Sequence, residues 1–114
     1  MEHEMHLYPA PFSMIKCGAK TIELRLYDQK RRQIAPGDTI RFYNSENPAE
    51  TLLACVVELC VFASFGELYK ALPLLECGYT PENLTAASPK DMDAYYTPEM
   101  QRQYGVVGIR IALI

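Results

Sequence analysis

Apolar residues alternate with polar ones in two stretches of the chain and recur at helical spacing between them. In Thr21–Tyr27, Ile22, Leu24 and Leu26 share one face of an extended strand, and Glu23, Arg25 and Tyr27 share the other. Val107, Ile109, Ile111 and Leu113 repeat the alternation in Val106–Ile114, as a core-facing set. Thr39–Tyr43 and the β-type run Leu52–Phe62 supply two further strands, the first entered through the tight turn Pro36-Gly37-Asp38. Tyr8-Pro9-Ala10-Pro11 opens a short helix with Phe12 and Ile15 as its apolar stripe, and Gly18 closes it in the left-handed conformation. Ser64 and Glu67 have capping-box spacing, which predicts a helix over Phe65–Leu72 that Pro73 stops. Thr80-Pro81, Ser88-Pro89 and Thr97-Pro98 each join a capping hydroxyl to a proline suited to the first helical position, predicting three more helix starts. Asn44–Thr51 is a loop by composition, Asp28–Ile34 a basic connection, and the first residues, His3 and His6 included, a frayed polar terminus.

Strands toward both ends with short helices between them fit an α+β domain on a small, curved, partly closed sheet. At 114 residues the chain is a single domain, 1–114, with one compact core. Apolar content of 49% and charged content of 22% are those of a soluble globular protein, without a span for a membrane or a signal peptide, so the expected compartment is the cytoplasm. Cys17, Cys55, Cys60 and Cys77 lack close-ligand spacing and read as free thiols, with Cys55 and Cys60 as small core residues. A net charge of −3 argues against strong nonspecific nucleic-acid binding, but the charge is unevenly spread. Residues 1–45 carry seven Lys/Arg against five Asp/Glu, and the remainder four against nine. Any anionic ligand should meet the first half.

The chemistry concentrates in Lys20-Thr21-Ile22-Glu23-Leu24-Arg25-Leu26. Glu23 and Arg25 stand about 7 Å apart along one strand face, with Lys20 at the entrance. Such a trio either binds a hydrogen-bonding ligand or forms a solvated ion-pair ladder worth under ~1 kcal/mol per pair. Lys20 follows a helix C-terminus, which favours a charged amine, whereas nucleophilic work would need that charge removed. Arg25 could offer its planar fork to a phosphate or a base edge, and Glu23 could accept from an exocyclic amine or serve as general base. Tyr27 lies on the same face by parity and is the best stacking candidate, while Tyr95, Tyr96 and Tyr104 read as packing. Lys30-Arg31-Arg32 is either a solvated loop or a phosphate clamp at the cleft mouth. No nucleophile elbow, glycine-rich phosphate loop, Cys/His metal set or cofactor motif is present, so any reaction would run on Lys, Glu, Tyr or Cys.

The order Gly18-x-Lys20-Thr21-Ile22-Glu23-x-Arg25, then Lys30-Arg31-Arg32, then Pro36-Gly37-Asp38, resembles the ASCH domain family. Ser64-Phe65 before a helix and the closing Tyr104-Gly105-Val106-Val107-Gly108-Ile109 extend the match across nearly the whole chain. The resemblance implies a PUA-like fold, a small β-barrel with flanking short helices, and a cleft lined by Lys20, Glu23 and Arg25. It also implies recognition of RNA. One bacterial branch of similar fold is an amidohydrolase on N4-acetylcytidine, using a lysine and a threonine from this strand and a glutamate from further along. Lys20 matches that lysine. The threonine position falls on Glu23, and neither Glu76 nor Glu82 aligns with the later glutamate.

Three functions follow as expectations. The first is a domain binding RNA or a modified nucleoside or nucleotide through Lys20, Glu23 and Arg25, with Tyr27, Arg31 and Arg32 at the margin. The second is an amidohydrolase on an acylated nucleobase, with Lys20 and Glu23 catalytic. The third is a protein-interaction module in transcription or translation control, using the acidic second half as its contact surface. The sequence gives no oligomeric state.

Overall fold

The residues expected to fray form a strand. In β1, Glu2–Leu7, burial alternates strictly, with His3, Met5 and Leu7 inward, and the strand pairs in parallel with β3, Thr39–Asn44. Charged residues at alternate positions hide the period unless His3 is counted as an inward residue. It is held there by Asp38, whose Oδ2 lies 2.8 Å from His3 Nε2.

The computed structural model describes residues 1–114. After β1, helix α1 spans Pro9–Lys16 and buries Phe12 and Ile15. Gly18 closes it at φ +84°, the left-handed turn its sequence position predicts. β2 covers Ile22–Leu26, and β3 runs into β4, Asn47–Phe62, through a two-residue turn that Asn44 closes by accepting from the Glu46 N–H at 3.1 Å. The expected loop 44–51 is therefore mostly strand. Asn47 pairs with Asn44 and Thr51 with Tyr43, so residues 48–50 bulge out of the ladder and accommodate Pro48. A second irregularity at Val57 bends β4 again where it pairs with β5, Val106–Leu113.

The five strands form one mixed sheet in the order β1-β3-β4-β5-β2. It curls into a half-barrel with flanking helices, an α+β architecture. Helix α2, Phe65–Ala71, starts at the predicted cap, where Ser64 Oγ accepts from the Glu67 N–H at 3.1 Å. Thr97-Pro98 opens α3, Pro98–Tyr104, while Ser88-Pro89 opens a 3-10 helix, Pro89–Ala94. Thr80-Pro81 opens no α-helix. Asn83 Oδ1 takes the Thr80 N–H at 2.7 Å, and only a 3-10 turn follows at Leu84–Ala86. Residues 81–86 are all exposed, so there was no apolar face to support a helix.

Two cores lie on opposite faces of the sheet. Met5, Ile40, Phe42, Val56, Val107 and Ile109 fill the inside of the curl beneath α1. Ile22, Leu24, Leu26 and Val106 pack outside it against Phe65 and Leu68 of α2. Gly108 permits the close approach there, since a Cβ would stand 2.6 Å from Leu72 Cδ1. β5 is consequently buried on both faces, and Leu113, expected inward, is exposed because β5 overruns the core. All four cysteines are free thiols, and Cys77 rather than Cys55 or Cys60 is the buried one. No helix is long and apolar enough to cross a membrane.

Candidate functional site

Antiparallel pairing puts Glu23 beside Ile109 and Arg25 beside Val107. Residues directly opposite in a ladder point to the same face. Glu23 and Arg25 therefore project into the curl rather than out to solvent. The parity read from the sequence holds, and both faces are covered: α2 packs on the side carrying Ile22, Leu24 and Leu26, and the curl takes the side carrying Glu23 and Arg25. Glu23 is 3% exposed, and Lys20 is 9% exposed.

Local structure aims each of the three. The end of α1 fixes Lys20 by accepting its backbone N–H at Met14 O, 3.0 Å. Gly78, at φ +110°, backs its side chain, and a Cβ there would lie 3.5 Å from Lys20 Cδ. Lys20 Nζ then meets Glu23 Oε1 at 2.7 Å, and Arg25 Nε donates to Glu23 Oε2 at 2.8 Å. Arg25 Nη2 reaches on to the carbonyl of His6, 3.0 Å away in β1. Burial pushes the Glu23 carboxyl up, but the Lys20 and Arg25 charges and hydrogen bonds outweigh it and hold the group below its usual range. Burial likewise opposes the Arg25 charge, and Glu23 and Tyr96 restore it, leaving Arg25 above its ordinary value.

The trio forms the floor of a cavity of about 420 Å³ in the seam between edge strands β1 and β2. The volume lies in the range of small-molecule sites. Its opposite wall comes from the irregular segment after α2, with Tyr79, Asp91, Met92, Tyr95 and Tyr96, and from Tyr69 on α2 itself. Tyr96 stacks on Phe65 with ring centroids 6.3 Å apart, and burial raises its phenol against the pull of Arg25 and Arg31. Tyr95 is 61% exposed at the rim. Lys20 and Arg25 balance Glu23 and Asp91, so the lining carries no net charge beyond whatever His6 contributes.

Of the expected residues, the fold gathers Lys20, Glu23 and Arg25. It does not bring Tyr27, Arg31 or Arg32 to the cavity. Arg32 lies over the Tyr27 ring at 4.3 Å and donates to Tyr104 O, and Arg31 is paired with Asp28 at 3.0 Å. The basic connection is thus tied down by its own neighbours. Glu76 accepts from Thr21 Oγ1 at 3.0 Å, and Glu82 is exposed; neither lines the cavity, whose second carboxylate is Asp91. Tyr95 and Tyr96, read as packing, do line it. Asp91 was detectable, because it stands three residues after Ser88 and completes a capping box there.

Chemically, the floor is organised to hold hydrogen-bonding groups. Both Glu23 oxygens are engaged by cations, and a carboxylate held low is a poor general base near neutrality. Lys20 retains N–H groups beyond the one given to Glu23 and faces open cavity.

No curated protein matches the chain. Among solved structures, it is 35% identical to hypothetical protein PH0355, with each chain fully covered and a TM-score of 0.82. It is also 35% identical to protein PF0455 from Pyrococcus furiosus, covering 100% of this chain and 98% of that one, with a TM-score of 0.73. The ASCH protein of Zymomonas mobilis, at 16% identity, shares the fold, with a TM-score of 0.64 over 97% of this chain and 66% of that one. The half-barrel with flanking helices matches the ASCH/PUA-like fold. The ASCH domain model matches residues 5–114, and with a match over nearly its whole length, the chain belongs to the ASCH domain family.

Proposed function

We propose that the cavity binds RNA or a free nucleoside or nucleotide through its base, with Lys20, Glu23 and Arg25 as the polar floor. The observation that carries this reading is a trio with Lys20 and Glu23 buried and Arg25 mostly so, opening into a chamber with tyrosine walls. Taking these charges largely out of water is costly, and apolar residues in the same places would serve the fold as well. Donors that remain available in a half-open cleft, beside aromatic rings on which a base can stack, favour a flat heterocycle. The balance of charge in the lining favours a base over a bare phosphate. Four free thiols fit action in a reducing cytoplasm.

Titration of the protein with nucleosides and short single-stranded RNA, followed by calorimetry and amide chemical shifts, tests the reading. Binding should persist at moderate salt, because the floor lacks the excess positive charge that gives a steep salt dependence. Tyr95→Ala, at an exposed rim position, should weaken binding by about tenfold, as loss of one stacking partner does. No shift at millimolar ligand and low salt would overturn the proposal. Conversion of N4-acetylcytidine to cytidine, abolished in Lys20→Ala, would replace it with hydrolysis. A stable protein partner on the acidic second half, with RNA ignored, would replace it with an interaction module.

A further inference from the structure

Tyr69, Tyr79 and Asp91 form a hydrogen-bonded chain along the wall of the cavity. The two phenol oxygens are 2.6 Å apart, and Tyr79 Oη donates to Asp91 Oδ2 at 2.7 Å. A phenol has one proton to give, and an ionised carboxylate only accepts. Asp91 is kept ionised by Tyr79 and by the Ser88 N–H, which hold its carboxyl below the usual range. Tyr79 therefore commits its proton to Asp91, and Tyr69 must donate to Tyr79. Neither phenol has a proton left for the cavity, and all three groups line it. On the floor, Lys20 and Arg25 carry donors only, and Glu23, the acceptor beside them, has both oxygens engaged. The cavity has donors toward the sheet and acceptors along this stretch of wall.

From this polarity, and resting on the base-binding reading above, we infer that the Tyr69–Tyr79–Asp91 wall selects amino-bearing bases over oxo-bearing bases of the same outline. An exocyclic amine meeting Tyr69 Oη donates into a lone pair. A carbonyl in the same place brings lone pairs against lone pairs and stays unpaired, which is where polar sites discriminate most strongly. Tyr69 determines specificity by contact. Asp91 is a positioning residue that sets the direction of the chain.

Calorimetric titration of the wild-type protein with cytidine against uridine, and adenosine against inosine, tests the inference, since each pair exchanges an amine for a carbonyl. The amino member should bind about tenfold tighter or more in at least one pair, as expected for one base-edge contact. In Asp91→Ala, Tyr79 loses its fixed acceptor and can turn its proton toward Tyr69, which frees the Tyr69 proton for the cavity, so the ratio should fall toward one. Tyr69→Phe, which removes the acceptor, should do the same without touching the capping box of Ser88. Equal affinities within both pairs in the wild type would overturn the inference and leave base binding intact. So would a ratio that survives both variants. Failure of all four nucleosides and of single-stranded RNA to bind removes the base-binding reading, and this inference with it.

Discussion

Arg25 Nη2 donates to the backbone carbonyl of His6 at 3.0 Å, so a side chain of one edge strand is hydrogen-bonded to the main chain of the other. The half-barrel is open along this line, and the guanidinium spans the opening while it also holds Glu23. Site and fold share these atoms, and the stability of one reports on the other.

Replacing the shared anion should be the most damaging change at the floor. Glu23→Gln leaves Lys20 and Arg25 facing each other in a buried place without a counter-charge, and should cost about 3–5 kcal/mol. Lys20→Met should cost clearly less, because Arg25 still neutralises Glu23. Urea unfolding with unchanged slope measures both, and equal losses would contradict a floor centred on Glu23.

Acid should weaken the fold through two carboxyls. Asp38, ordinarily 3.8, is held down to about 2 by the His3 ring, the Ala35 N–H and the amino terminus. Glu23 is held below its usual 4.5. A depressed carboxyl stabilises the fold above its unfolded value, and that share is lost as pH falls through the folded value. The stability advantage of the wild type over Asp38→Asn should therefore be full at neutral pH and shrink from about pH 4 downward. A constant difference from pH 7 to the lowest measurable pH would refute the assignment.

Thiol labelling at pH 8 should distinguish the cysteines. Burial pushes the Cys77 thiol up to about 11, and it lines the cavity, whereas Cys17 is exposed. Alkylation of Cys77 should be more than about tenfold slower than that of Cys17, since the thiolate is the reacting species. A ligand seated in the cavity should slow it further. Mass spectrometry of a time course reads both effects.

The packing of α2 on the sheet depends on an absent side chain. Gly108→Val would set its branches against Leu72 Cδ1 and against Ile22 Cγ2, already 3.2 Å from an added Cβ. A loss of about 1–3 kcal/mol is expected from overpacking. Leu72→Ala in the same chain should recover part of it, and a double-mutant cycle without coupling would place the strain elsewhere.

Pleat parity made the grouping of Ile22, Leu24 and Leu26 against Glu23 and Arg25 legible, and the caps at Ser64 and Thr97 were legible because a hydroxyl acceptor acts locally. Which face of β2 lies inside the curl was not, since that depends on where α2 docks, some 40 residues on. β1 was obscured by its charged alternate residues and by a buried histidine whose partner is Asp38. The tyrosine wall escaped notice because residues 77–97 have no period; only chain geometry brings Tyr79 and Asp91 opposite Lys20. Tyr27 and Arg32 looked available because composition does not reveal that the two engage each other.

The sheet order has a consequence for how the molecule assembles. β2, which carries Glu23 and Arg25, finds its only ladder neighbour in β5, more than 80 residues later along the chain. Until that last strand docks, the strand bearing the polar floor has nothing to zip onto, and its charges stay hydrated. Pairings this remote in sequence slow the search for the native topology and tie it to one cooperative event. Ligand-binding competence should therefore emerge together with the final collapse in a refolding time course, rather than in an earlier partly ordered species.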